Sequence, residues 1–444
     1  MKNGSRAIVV GASISGLLTG SVLKKYFDEV ILIDKEELNA GPNPRKAVPQ
    51  GNHTHAILTP TIKMLKKYLP EVMENLRAAG AQLADAGENW RFHVHGNYLS
   101  NGKAGQALIG STRPFFEHHV RQTVADMPGL EILTATTFKS WLTTADGKGV
   151  SGIVVDDRQG ERELTADLFV DARGQASGIC SELATLGYDR PPEEEVQVDL
   201  GYTSRLYRHD QYKADWSLLT IYPSPPRSWS GGLIEKVEND KWIVTQFGYF
   251  GDHAPADEKG FMQHAQNLDV PLVAEFLEKG SPISDFETFG TRICRMRRFE
   301  KLASFPDRLL VVGDAVCSLN PIYGQGMTKA AKEADHLGDS LESHYASNNS
   351  IRGFSDSYRR SLPGVGAEWA WQLTSGADLS YPQAKGKRPF GNDLMAWYIK
   401  RLFIASFRNY GARKRLFDVL MLEKSPATAF SPRMIAYAIG LGRF

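Results

Sequence analysis

The run Ala7-Ile8-Val9-Val10-Gly11-Ala12-Ser13-Ile14-Ser15-Gly16 constrains this chain more than any other stretch. An apolar strand enters a glycine turn, a helical run follows, and Val30-Ile31-Leu32-Ile33 closes a βαβ unit on Asp34. Such a unit holds a dinucleotide because the turn lets a pyrophosphate approach backbone N–H groups at the helix N-terminus, where the helix dipole favours negative charge. Asp34 falls where a carboxylate accepts hydrogen bonds from the adenosine ribose. The pattern departs from G-x-G-x-x-G at its second glycine, here Ser13, whose hydroxyl is expected to be tolerated as a further phosphate donor.

The chain of 444 residues is long enough for two or three domains with proper cores. A formal net charge of +1 gives no global reason to expect nucleic acid. Cys180, Cys294 and Cys317 lack C-x-x-C spacing and read as buried small apolar residues rather than a disulfide framework or zinc site. The first strand begins within seven residues of Met1 and no apolar run reaches the ~20 residues of a membrane span, so a cytoplasmic protein without a leader or an integral span is expected.

After Asp34 a Pro/Gly-rich loop runs from Gly41 to His55. His53 and His55 lack companion ligands, and no metal site is expected there. Arg45 is placed to reach the adenosine end or the pyrophosphate, with a solvated loop cation as the plain alternative. A helix is expected over Thr59 to Leu69, strands of another sheet around Trp90 to His95, and a helix from Phe115 to Met127 whose Pro114 suits a first turn. Arg113 then sits near any bound phosphate. Three strands follow, Phe138 to Thr144, Val150 to Asp156 and Glu163 to Asp171, with hairpin turns at Asp146-Gly147 and Gln159-Gly160. The last opens a second glycine turn, Ala172-Arg173-Gly174.

From Val196 to Phe250 apolar and polar residues alternate, with a Pro-rich connection at Pro223-Ser224-Pro225-Pro226, which indicates an antiparallel sheet able to cover a ligand. Tyr202, Tyr222, Trp242, Phe247 and Tyr249 are its candidate lining, half of them expected to face the sheet's own core. A third glycine motif, Leu309 to Ala315, places Asp314 after Gly313, and Asn320 to Met327 leads into a helix from Thr328. Asp314 can take polyol hydroxyls, and the helix start can point N–H groups at an electron-rich ring. The last hundred residues read as helical. Trp397, Lys400, Arg401, Phe403, Phe407, Arg408, Arg413, Lys414 and Arg415 form a basic, aromatic stripe that suits either a membrane surface or a capping helix packed by its aromatics with solvated Lys and Arg.

In this order, over about residues 5 to 340, the motifs resemble the class A flavoprotein monooxygenases of the p-hydroxybenzoate hydroxylase fold. The loop Arg45 to His55 and the strand Gly201 to Tyr207 are most similar to the polyether epoxidase branch of lasalocid and monensin biosynthesis. The resemblance implies an α/β fold in three parts: a discontinuous Rossmann-like FAD-binding domain (1–75, 107–190, 291–340), an antiparallel-sheet substrate domain (76–106, 191–290) and a C-terminal helical region (341–444). The implied FAD contacts are Gly11, Ser13, Ile14, Gly16, Asp34, Lys35, Arg45, Arg113, Gly313, Asp314, Pro321, Gly324, Gln325, Gly326 and Met327.

The resemblance further implies an enzyme of secondary metabolism that inserts one oxygen atom from O2 into a hydrophobic substrate through a flavin C4a-hydroperoxide, as epoxidation of a polyketide or terpenoid alkene. No protein nucleophile is needed; a dry apolar pocket is. Arg173 stands where related hydroxylases carry Asp, so either NAD(P)H or a separate flavin reductase supplies electrons, and Arg173 could still touch a phosphate. The alternatives are an aromatic hydroxylase, for which no partner of a phenolic hydroxyl can be placed, and an alkene reductase of the geranylgeranyl reductase type. A flavin halogenase would carry W-x-W-x-I-P before the Gly-Asp segment, whereas Trp369-Ala370-Trp371 follows it. A binding protein that kept the fold is opposed by the intact glycines.

Overall fold

The computed structural model describes residues 4–38, 40–210, 212–225 and 227–441. Pro226 of the Pro-rich connection lies outside the described residues. The first βαβ unit forms as its sequence dictates: strand Gly4–Val10, helix Ile14–Leu23 and strand Phe27–Ile33. Both strands are parallel partners in a five-stranded sheet ordered Leu309–Val311, Leu168–Asp171, Gly4–Val10, Phe27–Ile33, Leu130–Leu133. Buried on both faces, these strands need the continuous apolar runs seen in the sequence. Ala7, Ile8, Val9, Leu32 and Phe169 are fully buried in the main core.

All three glycine turns leave this sheet at the carboxyl ends of neighbouring strands, which is where an open α/β sheet binds ligands. The segment read as one strand from Glu163 to Asp171 is in fact two. Gly160–Thr165 closes an antiparallel meander with Thr137–Thr143 and Val150–Asp157, and Leu168–Asp171 then joins the parallel sheet. The break falls at Ala166-Asp167, where Asp167 accepts from the N–H groups of Ser5 and Arg6 at 2.8 and 3.1 Å and ties the new strand to the first.

A second large sheet of ten strands is organised on Glu193–Arg208, flanked by the antiparallel strands Glu287–Arg297 and Lys241–Tyr249. Ser230–Lys236 and Leu218–Ile221 continue it, and Leu218–Ile221 pairs in parallel with Trp90–Val94. Helices Glu258–Gln266 and Leu272–Lys279 cover one face, where Trp216, Trp242 and Phe276 are buried. The other face looks toward the glycine turns. Helices Ala367–Asp378, Asn392–Ser406 and Tyr410–Leu420 close the remaining side, and the otherwise helical C-terminal part lends two residues, Lys385–Gly386, to the edge of the large sheet.

Candidate cofactor and substrate site

Gly11 has φ +111°, and a Cβ there would lie 2.5 Å from the carbonyl oxygen of Ala172. Only glycine fits both the left-handed backbone and that close approach. The Ala12 N–H donates to Asp34 Oδ2 at 3.1 Å, and Glu36 N–H donates to Asp34 Oδ1 at 3.0 Å. Arg45 reaches in from the Pro/Gly loop to Asp34 (2.7 Å), Glu36 (2.9 Å) and Glu117 (2.6 Å). Burial alone would lower its pKa, but Asp34 and Glu117 outweigh that and raise it further. Arg113, on helix Arg113–Ala125, pairs with Glu117 at 2.8 Å.

Ser13 does not turn its hydroxyl toward a ligand position in this arrangement. It donates to Glu117 at 3.0 Å and accepts from Arg113 at 3.1 Å, so the expected extra phosphate donor is instead a link to the neighbouring helix. Ile14 and Gly16 start the helix behind the turn and are buried. Lys35 is exposed. Glu117, which gathers both arginines, was not legible in the sequence because, although Arg113 precedes it by one helical turn, Arg45 and Ser13 lie far away along the chain.

The third turn is built over a buried charge lock. Gly313, at φ +66°, donates its N–H to Glu333 Oε2 at 2.7 Å. Lys329, fully buried, lies 3.5 Å from Asp314 and 3.6 Å from Glu333. Burial would lower the Lys329 pKa, but the two carboxylates raise it, so the ammonium stays charged and holds Asp314, whose side chain remains 44% exposed. Beyond it, Pro321–Tyr323 forms a helical turn ended by Gly324 at φ +65°, and helix Gly326–Ser347 begins with Met327 buried behind it. A Cβ added at Gly324 or Gly326 would meet no atom within 4 Å. The loop therefore presents bare backbone to open space.

That space continues into a cavity of about 590 Å³ between the large sheet and the C-terminal helices. Leu218, Phe289, Phe403 and Phe417 contribute apolar wall, and Ile322 to Gln325 form the side nearest the Gly-Asp turn. Of the five aromatic candidates from the sheet, Tyr202 and Tyr222 line the cavity. Phe247 and Tyr249 belong to the main core, and Trp242 packs on the opposite face with Trp216 at a ring separation of 5.5 Å.

Two residues lining this cavity, His53 and Tyr202, carry polar atoms that are distinctive. His53 is buried, with Nδ1 2.6 Å from Ser204 Oγ, which lies 2.6 Å from Thr245 Oγ1. Its Nε2 has no hydrogen-bond partner, and neither has the hydroxyl of Tyr202, whose ring lies 5.5 Å away. Burial lowers the His53 pKa to about 3 and the His55 pKa to about 4, so both imidazoles are neutral near pH 7. An unpaired buried polar atom costs about 1–3 kcal/mol, and both atoms are covered by protein beside the cavity.

A further cluster anchors the glycine loop from behind. Asp378, at the end of helix Ala367–Asp378, accepts from Tyr323 and Asn320 at 2.8 Å each and from Tyr249 at 3.4 Å, all on Oδ1. Burial raises its pKa to about 7. Sequence reading missed Asp378, because its partners are more than fifty residues away. Arg173 is also reassigned. It is held by Asp171 (2.8 Å) and Glu182 (2.5 Å) and lies 4.3 Å over the Phe138 ring, so its guanidinium is engaged with protein groups rather than offered to a phosphate.

Comparison with known proteins agrees with this geometry. The chain is 26% identical over 389 residues to Protein Rv3254 of Mycobacterium tuberculosis (strain ATCC 25618 / H37Rv), covering 85% of this chain and 81% of that protein. Among solved structures it is similar to p-nitrophenol 4-monooxygenase PnpA from Pseudomonas putida DLL-E4, with 14% identity, a TM-score of 0.65 and coverage of 95% of this chain and 99% of that one. It is equally similar in fold to the flavin-dependent brominase Bmp2, with 14% identity, a TM-score of 0.66 and coverage of 96% and 97%. At such identities the two structures speak for the fold. The model of one family, described as FAD binding domain, matches residues 5–361, and the chain belongs to that family.

Proposed function

We propose that this chain is an FAD-dependent monooxygenase that places one oxygen atom from O2 on a hydrophobic small molecule, with alkene epoxidation in polyketide or terpenoid biosynthesis as the specific reading. The observation that carries it is the bare backbone of Gly324, which lines an apolar cavity of about 590 Å³, with equally open space over Gly326 two residues on. FAD fits the surrounding parts. Gly11, Ser13, Ile14 and Gly16 form the turn for the pyrophosphate, with Arg113 beside it. Asp34, Lys35 and Arg45 stand at the adenosine end and Gly313 and Asp314 at the ribityl chain. Pro321, Gly324, Gln325, Gly326 and Met327 would hold the ring.

Bound FAD supplies the two-electron chemistry that activates O2, and the protein supplies position and dryness. Phe289, Phe403 and Phe417 exclude water. His53 and Tyr202 offer neutral hydrogen-bonding atoms without delivering a charge. Because Arg173 is engaged by Asp171 and Glu182, the electron donor, either NAD(P)H or a separate flavin reductase, is proposed to act without that side chain.

One observation favours aromatic hydroxylation as a second reading. His53 Nε2 and the Tyr202 hydroxyl, unpaired beside the cavity, are the kind of partner a phenolic hydroxyl requires once a side-chain shift uncovers them, and the sequence alone could not place them.

The test is stopped-flow absorbance of purified, chemically reduced protein mixed with oxygenated buffer, followed by product mass. A transient distinct from oxidised flavin, and products one oxygen heavier from alkene or phenol substrates, support the proposal and separate its two readings. Direct return to oxidised flavin, together with saturated products from alkenes, would assign a reductase instead.

A further inference from the structure

Of the eleven large apolar side chains exposed among the described residues, nine lie between Phe390 and Leu441. On helix Asn392–Ser406 they recur as Leu394, Trp397 and Ile404, a spacing that puts them on one outward stripe. Helix Pro432–Ala438 lies alongside, tied by Arg401 Nε donating to the Ala438 carbonyl at 2.8 Å, and adds Ile435 and Ile439. Phe430 stacks on Tyr398 at 5.2 Å and extends the face.

The same stretch is strongly basic. Residues 385–441 hold eleven Lys and Arg against three Asp and Glu, in a chain whose net charge is only +1. Lys387, Arg388, Lys400 and Arg408 are exposed among the apolar side chains. Met395, Trp397 and Phe430 are both exposed and part of the cavity wall, so the face surrounds an opening of the cavity.

We propose that this face docks on an anionic lipid bilayer, lying in its interface with the cavity opening toward the lipid. The charge decides against a second copy of the chain, since a symmetric contact would bring two basic faces together. An apolar stripe flanked by cations also matches a fluid surface, which needs no shape complementarity. Apolar groups enter the acyl boundary while Lys and Arg stems reach back to headgroup phosphates. No helix among the described residues is long and apolar enough to cross a membrane, so the association is peripheral. Docking of the surface does not depend on the reaction proposed above.

The experiment is flotation of the full-length, FAD-loaded protein with vesicles of phosphatidylcholine and phosphatidylglycerol in equal parts, against vesicles of phosphatidylcholine alone. The anionic vesicles should capture the protein roughly tenfold better, less so at high salt, because each basic residue near an anionic surface adds to the attraction. The triple variant L394S/I404S/I439S should lose about tenfold in partitioning while its FAD absorbance and helical content stay unchanged. Hydrogen exchange of the unsubstituted protein gives an independent reading that no folding defect affects: added anionic vesicles should protect residues 390–441 selectively. Equal capture by neutral vesicles, no capture at low salt, or protection located elsewhere overturns the proposal. So does a dimer in solution that the triple variant converts to monomer, which would assign the face to a second copy, or displacement from vesicles by an acidic protein that protects the same residues more strongly.

Discussion

At Gly326 the space over a single Cα separates folding from cofactor binding. No atom lies within 4 Å of a Cβ there, and its φ is not left-handed, so G326V should leave unfolding stability within about 1 kcal/mol. If the flavin ring lies against this backbone, the added isopropyl group displaces it, and the FAD:protein absorbance ratio should fall at least tenfold. Retained FAD would move the ring elsewhere. D314A should also lower occupancy, but with a structural component, since it strips a carboxylate from buried Lys329.

Asp378 gives a prediction in pH. Its folded pKa, raised by burial to about 7, exceeds the ordinary value of 3.8 of an exposed Asp, so between those limits the folded state holds a proton the unfolded state has lost. Stability from this group is therefore full below about pH 4 and falls as pH rises toward 7, with a ceiling of ~4 kcal/mol. D378N removes the titration. Chemical denaturation from pH 4.5 to 8 should show the unsubstituted protein losing stability relative to D378N as pH increases; parallel curves would mean that Asp378 is ionised throughout.

Elements, more than single residues, account for what could be read from the sequence. Each glycine turn is a contiguous strand, turn and helix, so apolar runs and punctuation reveal it locally, and Asp34 and Asp314 follow from their place in those units. The meander and the alternating sheet were legible for the same reason. Glu117, Lys329, Glu333 and Asp378 were not, because Arg113–Glu117 and Lys329–Glu333 are spaced like ordinary surface helix pairs, and only burial with Arg45, Asp314, Asn320 and Tyr323 from other elements marks them out. Arg413 is the extreme case, expected in the solvated basic stripe and found buried because five acceptors of the protein take its guanidinium. It is 1% exposed and donates to the carbonyls of Gly87 (2.9 Å), Ala86 (3.0 Å) and Trp90 (2.7 Å), and to Ser100, which fastens helix Tyr410–Leu420 to the segment before the large sheet. R413M keeps length and loses every donor. Several stranded carbonyls at about 1–3 kcal/mol each predict a loss of at least ~3 kcal/mol in urea unfolding. A smaller loss would show that water reaches the gap.

For the whole molecule, the proposed FAD site has no continuous wall of its own. Its adenosine end is a strand-end cluster of Asp34, Arg45 and Glu117, its middle is the Gly313-Asp314 turn, and its ring end is a loop fastened by Asp378 of a C-terminal helix to Tyr249 of the large sheet. A ligand touching all three parts binds only when they are assembled, so its binding free energy adds to the stability of the assembly. At a free FAD concentration 100 times Kd this linkage is worth about 2.7 kcal/mol, rising with the logarithm of concentration. FAD-stripped protein titrated with FAD should therefore show a melting temperature that climbs without saturating, and one transition rather than two if the C-terminal helices unfold with the parallel sheet. AMP should reproduce only part of the shift, because it reaches the Asp34 end and leaves the loop unfilled. In G326V the AMP shift should survive while the additional shift due to FAD disappears; a full FAD shift in that variant would locate the ring away from the glycine loop.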